Sequence, residues 1–183
     1  MARASLNPAC DGLGPGAVDT TSSFTIGAIN TTLPNANNTG APIVVVIAGA
    51  YNVIDAYQLG TWAQYKYPLM YPNIQLLNGT AIVSGNASTA RPAQAGRVFA
   101  GSPPEWAVRV NGSLVPADGA QIYCAVYPPG NQGPPVLAVN GDTDSFSLCQ
   151  SAFSENVVYY KAAPNHNYDF DSCYPVKLQL NFD

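Results

Sequence analysis

Val176-Lys177-Leu178-Gln179-Leu180-Asn181-Phe182 alternates apolar and polar side chains over its whole length. A period of two puts Val176, Leu178, Leu180 and Phe182 on one face of an extended chain, with Lys177, Gln179 and Asn181 on the other. A helix would scatter the same apolar residues around its circumference. The stretch is a β-strand with one face toward a core.

Other segments fall into line with it. Phe24, Ile26 and Ala28 alternate within Ser23–Ile29. Pro42–Ala50 (PIVVVIAGA) is short, β-branched and apolar throughout, the pattern of a central strand covered on both faces. Tyr51–Ala56 continues it past a bend at Gly49. Asn73–Val83 reads as a hairpin, because Asn78-Gly79 is a favoured tight-turn pair between two apolar runs. Short strands are expected at Arg97–Ala100, Trp106–Val110, Ser113–Val115, Gln121–Tyr127, Val136–Val139, Phe146–Cys149 and Asn156–Lys161, with Asn111-Gly112 as a turn. In Gln121–Tyr127, Ile122, Cys124 and Val126 share a face. Tyr57–Tyr71 has no clean period, and a short helix there is weakened by Gly60 and stopped by Pro68. Ser84–Gly96 reads as a loop. Ten to twelve short strands without a long helix make an all-β fold: a single-domain antiparallel β-sandwich or barrel-like form, with a β-trefoil as runner-up. Residues 1–21 form an irregular N-terminal arm and residues 22–183 the β-rich domain.

Composition narrows the function. Of 183 residues, 7 are Lys or Arg and 11 are Asp or Glu, while 47% are hydrophobic. Charge is far below the roughly 25% of an average soluble domain, so uncharged polar groups must cover the surface. Sixteen Asn and eight Gln supply them. So few cations make no stripe for phosphates, which excludes a nucleic-acid binder. No apolar run is long enough for a membrane span.

Asn-x-Ser/Thr triplets stand at Asn30, Asn37, Asn78, Asn86 and Asn111, none with Pro in the middle. Each can accept an N-glycan in a secretory pathway. Cys10, Cys124, Cys149 and Cys173 are even in number and lack the paired C-x2-C spacing of a zinc site, so two disulfides are expected rather than free core thiols. Three connectivities are open. The spacing favours Cys124–Cys149 closing a hairpin-sized loop, with Cys10–Cys173 tying the termini together. Residues 1–20 lack the apolar stretch of a signal peptide. Secretion therefore takes Met1 as a mature end or an expression start.

Candidate chemistry is sparse. N-G-D-T-D sets oxygens of Asn140, Asp142 and Asp144 at every second residue, a spacing that lets a tight loop converge on Ca2+. An ordinary Asx turn is the preferred reading of this spacing, with Ca2+ the lesser alternative, and no other cofactor is expected. The single histidine, His166, lies near Asp169, Asp171 and Ser172, but the chain has no G-x-S-x-G elbow for a Ser-His-Asp relay. Glu105 and Glu155 are its two glutamates, and no spacing joins either to an aspartate as a glycosidase pair. Tyr57, Trp62, Tyr65, Tyr67 and Tyr71 crowd one stretch beside Gln and Asn. Such rings can stack on sugars while amides bond the hydroxyls, or can simply form a core.

FTIGAI at Phe24–Ile29, NGSL at Asn111–Leu114, the Tyr/Val strands after it and the late cysteines resemble small secreted fungal cell-wall glycoproteins of the phialide-protein or surface-antigen type. The resemblance covers about half the chain. It implies a non-enzymatic surface or wall component, with no catalytic residues to carry over. The expectation is thus a non-catalytic secreted or cell-wall glycoprotein with a structural or adhesive role. The alternatives are an extracellular carbohydrate-binding module, lectin or effector, and then a secreted hydrolase. Wall or surface glycans are the expected partners, and self-association through unguarded strand edges is a further one.

Overall fold

The computed structural model describes residues 6–51, 54–61, 71–85, 92–109, 114–115, 119–153 and 155–182. Fourteen strands follow one another among them. The first seven are β1 (Ala17–Val18), β2 (Phe24–Asn30), β3 (Ala41–Tyr51), β4 (Ile54–Thr61), β5 (Asn73–Leu77), β6 (Thr80–Ser84) and β7 (Ala93–Gln94). The rest are β8 (Glu105–Arg109), β9 (Leu114–Val115), β10 (Tyr123–Val126), β11 (Val136–Val139), β12 (Phe146–Ser151), β13 (Asn156–Tyr160) and β14 (Tyr168–Phe182). Short 3-10 turns at Pro8–Cys10 and Pro129–Asn131 are the helical elements of the described residues. The fold is all-β, as the sequence indicates.

Six strands close a barrel. In order around it run β2, β3, β4, β13, β12 and β14, every neighbour antiparallel, and β14 returns to pair with β2. The decisive alternation of β14 makes this seam. Leu178 lies opposite Ala28, Leu180 opposite Ile26, and Phe182 opposite Phe24. Directly opposed residues share a face, so both apolar rows enter one interior. Leu178 and Leu180 are fully buried, and the Phe24 and Phe182 rings meet edge to face at 5.8 Å. Burying each such Leu or Ile side chain contributes roughly 1.5–3 kcal/mol. From the other staves, Val45, Leu59, Phe146, Leu148 and Val158 fill the same core.

The remaining strands lean on the barrel at three places. β5, β6 and β7 extend from β2, β8 and β9 from β4, and β11, β10 and β1 from β14. Between them Trp106 and Tyr123 are buried, their polar atoms satisfied by the carbonyls of Ala81 and Gly96. Burial also pushes the Tyr123 phenol far up.

Several expectations need correction. Pro42–Ala50 is a central strand with Val45 facing the core and Val46 covered outside, but Ile47 is exposed. The irregularity near Gly49 is a bulge within a hairpin, so the chain turns back into β4 instead of continuing past a bend. Arg97–Ala100 forms no strand. Val98 is buried there, and its carbonyl accepts from the Asn140 side chain in place of a ladder partner. The arm at 1–21 is less irregular than expected, because β1 pairs with β10. The Asn78-Gly79 turn is as read: both residues have positive φ, 49° and 76°, and β5 and β6 pair across them. The Asn111-Gly112 turn lies outside the described residues.

Both disulfides are present, but with a different pairing. Cys10 bonds Cys124 and Cys149 bonds Cys173. The favoured Cys124–Cys149 link fails because β11 and β14 lie between β10 and β12 in the sheet. Cys124 instead faces a small apolar cluster with Cys10, Ala17 and Ala138 under the arm. Cys149 sits where β12 and β14 lose register, and Cys173 in the facing bulge is its neighbour.

Candidate functional site

The outer wall of the barrel carries a shelf built by β12, β13 and the start of β14. Alternation along β13 sends Val158 and Tyr160 inward and leaves Val157 and Tyr159 outside. Cys149, Val157, Tyr159 and Tyr168 form an outer apolar cluster there. The Tyr159 and Tyr168 rings lie 4.0 Å apart between centroids, and His166 stacks on Tyr168 at 5.7 Å with planes 6° apart.

Two loops fix these rings. The Tyr168 hydroxyl accepts from the Ala163 N–H at 2.8 Å and donates to the Ala163 carbonyl at 3.0 Å, so the ring cannot swing. His166 lies directly over Gly101, where a Cβ would collide with the imidazole. Gly101 has φ of 77°, and its N–H donates to the Tyr160 carbonyl at 2.8 Å. At the rim, Phe153 is 81% exposed on a turn held by its N–H bonding the Ser151 hydroxyl. The half-open hollow beside these rings measures about 440 Å3 and is lined further by Gln58, Ser102, Pro103 and Asn167. Among the described residues no Asp, Glu, Lys or Arg lines it. Burial, with the neighbouring Tyr168, raises the Tyr159 phenol above its ordinary value and keeps it a donor.

The sequence candidates fall elsewhere. Tyr57 and Tyr71 are core residues at 5% and 3% exposure, packed edge to face at 4.9 Å, so neither offers a face to a sugar. Trp62, Tyr65 and Tyr67 lie outside the described residues, as do Asn86 and Asn111. Asn30 ends β2 half-buried, and Asn37 and Asn78 are exposed between strands. At Asn30 and Asn37 the side-chain oxygen accepts from the hydroxyl and N–H of Thr32 and Thr39, two residues on.

The 140–144 loop engages each candidate ligand differently. Asn140 and Gly141 form a tight turn with positive φ. The Asn140 amide donates to Val98, Asp142 accepts from the Asp144 N–H and the Ser145 hydroxyl and pairs with Lys161, and Asp144 pairs with Lys177 at 3.1 Å. Among the described residues no three His, Cys, Asp or Glu side chains gather as metal ligands.

His166 meets rings, whereas Asp169 bonds its own bulge: it accepts from the Asp171 N–H through its side chain and from the Ser172 hydroxyl through its carbonyl. Glu105 opens β8 on the surface, where partial burial alone raises its carboxyl, and Glu155 lies in the turn before β13.

Reading by composition missed the shelf, since Phe153, Tyr159 and Tyr168 come from three separate segments. The faint signal was Tyr159 following Val157 at period two, with Tyr168 just past His166. Compared with known proteins, the chain matches no family model, no curated protein and no solved structure.

Proposed function

We propose that this chain is a non-catalytic extracellular or wall-associated protein with a structural or adhesive role. The observation that carries the reading is the pair of disulfides in a charge-poor barrel, since such bonds persist in oxidising compartments and are rare in the cytosol. Five glycan acceptor triplets support it, because glycans would supply the solubility that 18 charged residues cannot. Among the described residues no helix is long and apolar enough to cross a membrane.

Intact mass of the protein from its native source tests this, before and after peptide N-glycosidase and then reduction. Loss of glycan masses followed by a gain of four hydrogens is expected. An unmodified mass with four free thiols would remove the extracellular reading.

A further inference from the structure

We infer that the shelf of Phe153, Tyr159, His166 and Tyr168 binds a neutral pyranose unit of a polysaccharide, an inference that names what the adhesive reading grips and rests on it. The chemistry is local. A pyranose ring presents a face of C–H groups and an edge of hydroxyls. The C–H face is apolar and slightly positive, and it suits the negative face of an aromatic ring. The hydroxyl edge needs donors and acceptors without net charge. The shelf supplies both at once: Phe153 and His166 are the exposed rings, the Tyr159–Tyr168 pair is buried and backs them, and the Gln58 and Asn167 amides and the Ser102 hydroxyl stand around.

Size and charge decide between ligand classes. The space of about 440 Å3 falls within the roughly 300–1,000 Å3 of small-molecule sites. An acidic sugar, a phosphate or a cationic peptide would need a countercharge, and the described lining residues include no Asp, Glu, Lys or Arg. The other large hollows differ: one of about 470 Å3 beside Ile43 and Asn181 is also without charged residues among its described lining, but its ring, Tyr71, is buried. The one beside Tyr127 is lined by Pro15, Pro128, Pro129 and Pro134 with Lys177 at its edge, and the one beside Phe99 includes Arg97. The ring pair is also immobilised before any ligand arrives, which lowers the ordering cost of binding.

The test uses the full oxidised chain, treated with peptide N-glycosidase so that its own glycans cannot compete. Soluble hexasaccharides of glucose, mannose and N-acetylglucosamine are titrated by calorimetry and by saturation-transfer NMR, with a hexagalacturonate as the charged comparison. We expect saturable binding of at least one neutral series and none of the uronate. Phe153→Ala, at an exposed position that leaves the fold intact, should weaken it roughly tenfold or more, as removal of an anchor does. Phe99→Ala, also exposed but outside the shelf, should leave it unchanged. Absence of binding to every neutral series, preference for the uronate, or equal binding by Phe153→Ala would each overturn the inference. These results leave the extracellular reading intact, which stands or falls on the mass measurement.

Discussion

Gly27 and Gly49 lie on neighbouring barrel strands, yet substitution should separate them sharply. A Cβ at Gly27 would collide with the Thr39 carbonyl oxygen, because the loop between β2 and β3 folds back onto β2. Nothing lies within 4 Å of the same atom at Gly49, on the bulge. Gly27→Ala should therefore cost roughly 2–3 kcal/mol as overpacking, while Gly49→Ala stays within about 0.5 kcal/mol. Urea unfolding of the two variants checks the contrast. Asp142 gives a second prediction at this scale. Burial alone would raise its carboxyl, but the Ser145 hydroxyl, the Asp144 N–H and Lys161 together hold it below the ordinary 3.8. A carboxyl lowered in the folded state contributes stability above pH ~4, and that contribution is lost as pH falls through the folded value. Asp142→Asn should therefore cost roughly 0.5–1.5 kcal/mol at pH 7 and almost nothing at pH 2. An equal deficit at both pH values in denaturant melts would refute this account.

At the level of elements, the two disulfides should differ in weight. Cys10–Cys124 closes a loop with a sequence separation of 114, and Cys149–Cys173 one of 24. Loop-closure entropy gives losses of roughly 5 and 3.5 kcal/mol for the two double Cys→Ser variants. Calorimetric melts should rank them in that order. Legibility also divides at this scale. Strands that alternate against one core, such as β2 and β14, were readable because their neighbours in space impose the same period. So was the β5–β6 hairpin, whose turn residues carry positive φ. The cysteine pairing was not readable, since it depends on β11 and β14 being inserted between β10 and β12. The shelf escaped for a related reason: Phe153 and Tyr168 line one hollow because Ser151 pairs with Tyr168 across β12 and β14. The Tyr57–Tyr71 stretch misled in the opposite way, because composition cannot tell a ring inside a barrel from one outside it.

For the whole molecule, the seam between β2 and β14 joins the first barrel strand to the last. Leu180→Ala removes a fully buried side chain at that seam and should cost roughly 2–5 kcal/mol. Hydrogen exchange should then rise along Phe24–Asn30 as well as along β14, since each strand loses its partner. Unchanged protection of β2 would mean that the barrel does not depend on the seam. A further consequence concerns tension, the load that an adhesive protein would carry. A pull on the N-terminal arm passes through the Cys10–Cys124 bond into β10 and bypasses β1 through β9. Those strands cannot be drawn out while the bond is intact, and the Cys149–Cys173 bond shields the segment between its own ends. Extension is then confined to the stretches from Cys124 to Cys149 and from Cys173 onward. In a force-extension trace, the oxidised protein should yield a much shorter contour than the reduced one.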